Sequence, residues 1–431
     1  MNEAPGQVHE QPVLFIGIDW ADQKHDCYVI DRDGKGSHRA IAHSPEEIDN
    51  WVTEMLQLAD GKPIAIMLEQ SRGALMYALM FRKNVLLYPV NPKQLSRYRE
   101  SYPGGGKDDP TDARYLARML RERITTLTCW QPDDDNTRLL ANLCEQRRKL
   151  VDGQVQQRQQ LIALLKSYFP VVLELFGKVH QLPLLLSVLG RWTDPRQLRR
   201  ADRQLIRRVL SEHSAGSEKQ QDEIIARIRS ARLLCDDEAL ITPSAMAAEL
   251  LVRQIQQSQK TIREFDDKIA EVMKQHPDAH LFTSLRGAGA ALAPRLLCAF
   301  GSQRERWENA ESLAAFSGIA PVTKRSGKQC HVHRRFACPK YLRQTFHEFA
   351  GCAVQYCPWS KARYRLLRDR GMKHHAALRK IARSWIRILF RVWQTRTPFD
   401  SDRYIAKLQQ RCPEITKYLA QETEPISQTT P

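Results

Sequence analysis

The stretch Val13 to Asp19 reads V-L-F-I-G-I-D, a continuous apolar run that ends in a carboxylate. An uninterrupted apolar run of this length is typical of a strand that is buried on both faces. Strands are also predicted at Cys27 to Asp31, Ile64 to Leu68 and Val85 to Val90, with helices at Glu46 to Leu58 and Gly73 to Arg82. Because strands and helices alternate, the sequence predicts an α/β layer with a mixed sheet.

Carboxylates follow two of these strands and recur in one loop. Asp19 ends the first strand, Glu69 follows the strand at Ile64, and Asp109 and Asp112 lie in G-G-G-K-D-D-P-T-D-A. Since α/β sheets place their sites at the carboxyl ends of strands, we expect the four acids to form one site that holds Mg²⁺ or Mn²⁺ for phosphoryl transfer.

Each acid alone also has a structural explanation. A helix is expected to begin near Pro110, with Asp109 as its N-cap and Asp112 in its first turn. Asp19 could instead close a turn, and Glu69 could pair with Arg72. Asp108 is a spare acid in the same loop.

Two long helices are predicted in the middle of the chain, at Thr137 to Tyr168 and at about Ser244 to Gln275. Apolar residues of the second helix recur at steps of three and four, at Leu251, Ile255, Ile262, Phe265, Ile269 and Val272. This spacing predicts a coiled coil of about three heptads, although a plain amphipathic helix gives a similar pattern. The Arg-rich segment Pro170 to Pro243 is predicted to form short helices, and we assign it no chemistry.

Positive charge is concentrated in one segment. The 431 residues include 66 Lys and Arg against 49 Asp and Glu, a net charge of +17, yet Ser312 to Phe399 has nineteen bases and only two acids, Glu348 and Asp369. A basic block of this kind favours a nucleic-acid surface over a merely solvated helix face or a site for an acidic protein. The candidate nucleic-acid-binding residues are Lys107, Lys324, Arg325, Lys328, Arg334, Arg335, Lys340, Arg343, Arg379, Arg383 and Arg387.

Several classes of protein are disfavoured. No apolar run approaches the roughly 18–20 residues that span a bilayer, and the first eleven residues are polar, so we expect a cytoplasmic protein without a membrane partner. The ten cysteines are scattered, which favours reduced thiols. Cys330, His331, His333 and Cys338 match no common zinc spacing. The segment Leu281 to Gly301 resembles the turn of a helix-hairpin-helix.

A serine lies in the basic segment, within F-S-G-I-A-P-V-T-K-R-S-G-K. Cations beside Ser326 would lower the cost of forming its alkoxide, so its hydroxyl could attack a phosphodiester. The alternative is a turn serine that only hydrogen-bonds a phosphate. Ser317 is a second candidate, but its apolar neighbours suggest burial.

The chain resembles a known family through blocks that occur in a specific order. They are G-I-D-W-A-D-Q-K-H-D at Gly17 to Asp26, I-A-I-M-L-E at Ile64 to Glu69, N-P-K-Q-L at Asn91, K-D-D-P-T-D-A at Lys107 to Ala113, and L-A-A-F-S-G-I-A-P and R-S-G-K between Leu285 and Phe349. This order is similar to that of the DEDD-type insertion-sequence transposases, which are also described as bridge-RNA-guided serine recombinases.

The resemblance implies an architecture of four parts. Residues 1–130 would form a ribonuclease-H-like, resolvase-type (RuvC-like) domain, and residues 131–278 a coiled-coil region with a helical insertion. Residues 279–400 would be a mainly helical, basic transposase domain that carries the serine, followed by a polar tail at 401–431.

The resemblance also implies a mechanism and partners. Asp19, Glu69, Asp109 and Asp112 would bind the metal, and Ser326 would be the nucleophile that links covalently to DNA. The partners would be DNA, a guide RNA encoded beside the element, and further copies of the chain joined through the coiled coil. During the reaction the protein would associate with the bacterial nucleoid. A hydrolytic ribonuclease-H-like nuclease or junction resolvase, and a non-enzymatic nucleic-acid binder, are the alternatives.

Overall fold

A computed structural model of the chain describes residues 11–69, 73–102, 108–327 and 329–423. The chain divides into two compact units. The first, here the sheet unit, comprises Met1–Asp134, Phe300–Arg343 and Arg383–Phe390. The second, the helical unit, comprises Asp135–Ala299, Gln344–Ala382 and Arg391–Pro431. The predicted boundaries at residues 130, 278 and 400 stay predictions.

The sheet unit contains a five-stranded mixed sheet, which confirms the predicted α/β layer. Its strands are β1 (Leu14–Trp20), β2 (Lys24–Ile30), β3 (Gly36–Ala42), β4 (Ile64–Leu68) and β5 (Val85–Pro89). Their order is β3-β2-β1-β4-β5, with β1, β4 and β5 parallel and β2 antiparallel to both of its neighbours. Strand β3 escaped prediction because only Ile41 of its side chains is buried, so its sequence shows no apolar alternation.

Helices cover both faces of this sheet. They are α1 (Pro45–Leu58), α2 (Ala74–Leu79), α3 (Pro92–Glu100) and α4 (Asp109–Arg123). Ser44 caps α1 by accepting the Glu47 backbone N–H at 3.2 Å. The apolar stripe of α1, with Trp51 at its centre, shares a core with Ile16 and Ile18 of β1. Helix α4 packs on the other face, against β1, β2 and β4.

Gly17 allows α4 to lie directly on β1. A Cβ atom at this position would overlap the backbone oxygen of Ala113 and the backbone nitrogen of Ala117, and would lie 2.7 Å from Cβ of Leu116. The strand and the helix therefore touch backbone to backbone. Since side chains alternate along a strand, Asp19 shares this face of the sheet with Gly17.

Two long helices run antiparallel in the helical unit, α5 (Asp135–Tyr168) and α11 (Glu238–Gln275). Thr137 contacts His276 at 2.9 Å, Arg147 bonds Asp266 at 3.0 Å, and Ser258 lies 3.5 Å from Gln157. Both predicted helices are confirmed, but α11 begins before Ser244 because Asp237 caps it by accepting the Ala239 N–H at 3.0 Å. The predicted seam residues Ile255, Ile262, Ile269 and Val272 are buried.

Five short helices between α5 and α11 form a small bundle, here the helical insertion, as the sequence predicted. They are α6 (Pro170–Phe176), α7 (Leu182–Leu189), α8 (Pro195–Arg200), α9 (Arg203–Glu212) and α10 (Glu218–Ser230). Their core continues into the adjoining ends of the two long helices through Leu165 and Val252. Within the described ranges no single helix is long and apolar enough to cross a membrane. Among these residues, the helices Pro170–Phe176 and Val179–Leu189 are long and apolar enough only when they are taken together, and the pair is sharply bent.

Beyond α11, the described residues are mainly helical and also form a β-hairpin. The helices are α12 (Ala279–Thr283), α13 (Gly289–Phe300), α14 (Ala310–Phe316), α15 (Lys340–Tyr356), α16 (Pro358–Asp369) and α17 (His374–Thr395). The hairpin pairs β6 (Val322–Ser326) with β7 (Gln329–His333).

The segment predicted to be a polar tail contains two helices that the sequence analysis did not predict, α18 (Ser401–Arg411) and α19 (Ile415–Thr423). Ile415 and Leu419 of α19 are buried, and this helix packs on α16. Two apolar residues four apart were too weak a signal in a polar segment. The sequence beyond residue 423 lies outside the described residues.

The Gly17 contact predicts an unequal effect of two identical substitutions. Gly17→Ala should lower the free energy of unfolding of the sheet unit by about 1–3 kcal/mol, because its methyl group would push α4 off β1. Gly153→Ala is the matched control, since nothing lies within 4 Å of its Cβ position in α5. It should stabilise its helix by about 0.5–1 kcal/mol. Calorimetric melting of both variants tests this, and equal shifts would contradict it.

Candidate catalytic site

The four predicted acids interact with one another in the sheet unit. Asp19 lies near the end of β1, Glu69 directly follows β4, and Asp109 and Asp112 belong to the first turn of α4. Burial, followed by the negative charges of Asp109, Asp112 and Glu69, raises the pKa of Asp19 to about 7. The adjacent parallel strands and the helix packed over Gly17 thus bring the acids into one electrostatic cluster, here the acid cluster.

The start of α4 differs from the prediction by one residue. Asp108, not Asp109, is the N-cap, and its carboxylate accepts the Thr111 backbone N–H at 2.8 Å. Hydrogen bonds from Thr111 hold the pKa of Asp108 below its ordinary value. Asp108, which is not one of the four predicted metal ligands, is therefore the residue that caps α4. This leaves Asp109 as the first helical residue, where the helix dipole favours a negative charge.

Arg99 contributes a positive charge to the acid cluster, and the sequence analysis missed it. Its guanidinium, in the last turn of α3, hydrogen-bonds the Asp112 carboxylate, and both side chains are largely buried. This hydrogen bond raises the pKa of Arg99 above its ordinary value. Local sequence patterns do not indicate this pair, because Arg99 meets Asp112 only where α3 and α4 pack together.

Asp26 is a fifth carboxylate on the same face of the sheet. It is buried and lies opposite Asp19 in the β1–β2 register. Its Oδ1 is 2.7 Å from Nε2 of His38, and its Oδ2 is 3.6 Å from Nζ of Lys24. These two partners offset the charge of Asp26, which raises the pKa of Asp19 less than Asp109, Asp112 and Glu69 do.

The four carboxylates are suitable ligands for a hard cation, although their side chains are not arranged as a complete metal site. Among the residues that the structure describes, no three His, Cys, Asp or Glu side chains are arranged to hold a metal ion, and this includes Cys330, His331, His333 and Cys338. Carboxylate oxygens are nevertheless the ligands that Mg²⁺ and Mn²⁺ prefer. A cation would also relieve the repulsion that raises the pKa of Asp19.

Ser326 lies on an exposed surface of the sheet unit. It ends β6, pairs in register with Gln329 of β7, and precedes Gly327, whose φ of +54° forms the turn. All but one of the hairpin's strand residues are exposed, and in the described part of the chain the Ser326 hydroxyl has no hydrogen-bond partner. Ser317 is fully buried instead and donates to the Ala314 carbonyl at 3.2 Å.

The predicted basic residues have different surroundings. Lys107 and Lys328 lie outside the described residues. Lys324 and Arg325 lie in β6 of the hairpin, and both are exposed. Four others follow the hairpin and are exposed or half-buried, namely Arg334, Arg335, Lys340 and Arg343. Arg379 lies on α17 and has interaction partners of its own.

Two predicted phosphate contacts, Arg383 and Arg387 of α17, already have an acidic partner. Both form ion pairs of 2.6 Å with Glu311 of α14. Burial opposes ionisation of Glu311, but the hydrogen bonds from the two arginines outweigh it and lower the pKa of this carboxyl. Glu311 immediately precedes the acid-poor segment, so the charge count over that segment left it out.

Known family models match the segments that contain the acid cluster and the hairpin. A model of the DEDD transposase domain of IS110, described as a transposase, matches residues 16–170 and thus contains the acid cluster. A second model, described as the transposase IS116/IS110/IS902 family, matches residues 279–365 and contains the hairpin. Together the two models cover more than half of the chain.

Relatives align over nearly the whole chain. The mini-circle putative transposase for IS117 of Streptomyces coelicolor is 27% identical over 92% of this chain and 98% of its own length. The insertion element IS116 uncharacterized 44.8 kDa protein of Streptomyces clavuligerus is 24% identical over 88% of this chain and 94% of its own length. The corresponding IS900 protein of Mycobacterium paratuberculosis is 23% identical over 88% and 95%. This chain belongs to the IS110/IS116/IS902 family of transposases, enzymes that cut and rejoin DNA.

Proposed function

We propose that this transposase cuts and rejoins DNA with two sets of residues, a metal-binding acid cluster and a serine nucleophile. The observation that carries the proposal is that burial and the charges of Asp109, Asp112 and Glu69 raise the pKa of Asp19, which places the four acids near one another. A DEDD domain implies a divalent metal, and these four carboxylates are the residues that would hold Mg²⁺ or Mn²⁺. When bound, the metal would polarise the scissile phosphate and stabilise developing negative charge.

The residues around the acids prepare them for this role. Arg99 holds Asp112 in a fixed position through its hydrogen bond, and Asp109 occupies the first position of α4. Asp108 fixes the first turn of that helix as its cap. Gly17 permits the close approach that carries this turn toward Asp19.

Ser326 is the proposed nucleophile. Its Oγ attacks the phosphorus atom, an Oγ–P bond forms, the bond to the leaving deoxyribose oxygen breaks, and the hydroxyl proton passes to that oxygen directly or through solvent. Rejoining reverses these steps when another DNA hydroxyl attacks the phosphoserine, so no nucleotide cofactor is consumed. Exposure of the hydroxyl and the neighbouring charges of Lys324 and Arg325 support the proposal.

RNA guidance and assembly complete the proposal. Between Glu311 and Glu348 the chain has no acidic residue, and this basic surface suits a nucleic acid in addition to the cleaved DNA. We place a guide RNA there, together with a homo-oligomer assembled along α5 and α11.

The acid cluster predicts a pH-dependent stability in metal-free protein. Asp19 has a pKa of about 7 when folded against 3.8 unfolded, so its stabilising protonated form is lost as pH rises from about 4 through 7. Asp19→Asn should remove this loss and melt at a higher temperature than the parent at pH 8 in EDTA. Mg²⁺ should then raise the melting temperature of the parent more than that of the variant.

The exposed Asp22 provides the control, because Asp22→Asn removes the same charge just beyond β1. It should keep both the pH profile and the Mg²⁺ response of the parent. A parent whose melting temperature ignores Mg²⁺ at every pH would count against metal binding by these acids.

Covalent trapping tests the serine. The parent protein, mixed with a DNA substrate in Mg²⁺ and denatured, should yield a protein–DNA adduct that resists boiling in detergent. Ser326→Ala should abolish the adduct and rejoining, whereas Ser317→Ala should retain adduct formation in whatever fraction folds. Cleavage by Ser326→Ala, with no adduct from the parent, would instead establish the hydrolytic nuclease.

Sequencing tests RNA guidance. Nucleic acid that copurifies with the full-length protein should contain one discrete structured RNA encoded beside the element. A random mixture of fragments would reject guidance and leave only unspecific affinity for nucleic acid.

A further inference from the structure

The helical insertion carries a group of arginines beside a cavity, and neither the acid cluster nor Ser326 accounts for it. The cavity has a volume of about 380 Å³ and lies where α8 and α10 end against the end of α5. Arg199, Arg227 and Arg232 line it, together with the exposed apolar side chain of Leu234. The adjacent Arg200 is also exposed.

One further arginine fixes the geometry of this rim. Arg229, near the end of α10, donates hydrogen bonds to the carbonyl of Arg199 at 2.6 Å and to the carbonyl of Ala201. These carbonyls lie at the C-terminus of α8, where a guanidinium is favourable. The bonds hold the ends of the two helices together, which brings the last turn of α8, with Arg199 and Arg200, beside the end of α10, where Arg232 follows and shares the cavity with Arg199.

The positive charge of this rim is poorly compensated. Glu174 is the acidic residue that lines the cavity, and it is paired with Arg227 at 2.9 Å. Arg199, Arg200 and Arg232 have no ion pair in the described part of the chain. Other arginines of the insertion do, since Arg203 pairs with Asp222 at 2.9 Å and Arg196 pairs with Glu238 at 2.6 Å.

We propose that the rim formed by Arg199, Arg200 and Arg232 is a second DNA-binding site, which holds backbone phosphates of the duplex that the transposase acts on. Uncompensated guanidiniums spread over a surface suit the repeated charges of a polyanion, and arginine forms bidentate bonds with phosphate. Residues 191–208 have seven arginines and two acids, so the local field is positive over a wider area than the cavity. Of the possible polyanions, DNA is the substrate of the family to which this chain belongs.

The salt dependence of binding tests the site. In a full-length Asp19→Asn background with EDTA, Arg199→Gln/Arg232→Gln should bind a random-sequence DNA duplex more weakly than its parent. The slope of log affinity against log salt should fall by about 1.8, because each lost phosphate contact contributes about 0.9. Fluorescence anisotropy over a series of KCl concentrations measures this slope.

Two further variants separate a lost contact from a lost fold. Arg208→Gln/Lys219→Gln removes the same charge from exposed residues of the same bundle that do not line the cavity, and it should keep the parental slope. Arg199→Lys/Arg232→Lys keeps the charge and should restore most of the slope. Equal slopes for the two Gln variants would overturn the site, and a slope that falls on an RNA duplex but not on DNA would overturn DNA as its occupant. These binding experiments involve no DNA cleavage. Their outcomes therefore neither support nor contradict the proposed roles of the acid cluster and Ser326.

Discussion

The backbone contact between β1 and α4 is the constraint on which the acid cluster depends. Gly17 has no side chain, so the helix lies directly on the central strand, with Ala113 and Ala117 against it. Asp112 precedes Ala113 by one residue, and Asp19 follows Gly17 by two on the same face of the sheet. A packing requirement thus sets the distance between carboxylates that lie far apart in the sequence.

The cluster also has to remain folded when no cation is present. Repulsion among the acids is limited in part by Arg99, which hydrogen-bonds Asp112, and in part by the raised pKa of Asp19, which keeps a proton near neutrality. Asp26 is similarly offset by His38 and Lys24. A divalent cation would therefore replace a proton and share carboxylates with a guanidinium. This explains how a negatively charged site coexists with a stable sheet.

Much of the fold could be predicted from the sequence, because its strongest patterns are local. Ile64–Leu68 is apolar throughout and was predicted to the residue, and the breaker-poor Thr137 to Tyr168 forms one helix as expected. Strand β3 and helix α19 were missed because an edge strand and a surface helix bury too few side chains to leave a periodic signal.

In the candidate site, too, local sequence patterns predicted some features and missed others. The four acids were predictable because each follows a recognisable strand or starts a helix. The ion pairs were not predictable, since Arg99–Asp112 and Arg383–Glu311 join segments whose proximity depends on tertiary packing. The shift of the cap from Asp109 to Asp108 is a difference of one residue, which composition alone does not resolve.

The antiparallel register of α5 and α11 constrains how the length of this protein can vary. In the contacts Thr137–His276, Arg147–Asp266 and Gln157–Ser258, each advance along α5 is matched by a nearly equal retreat along α11, so the register is kept over the length of the pair. An insertion or deletion in one helix alone would rotate its apolar side away from the other by about 100° per residue. Evolution can therefore lengthen or shorten the pair only through matched changes of about seven residues in both helices, whereas the loops of the bundle at its far end can vary in size independently.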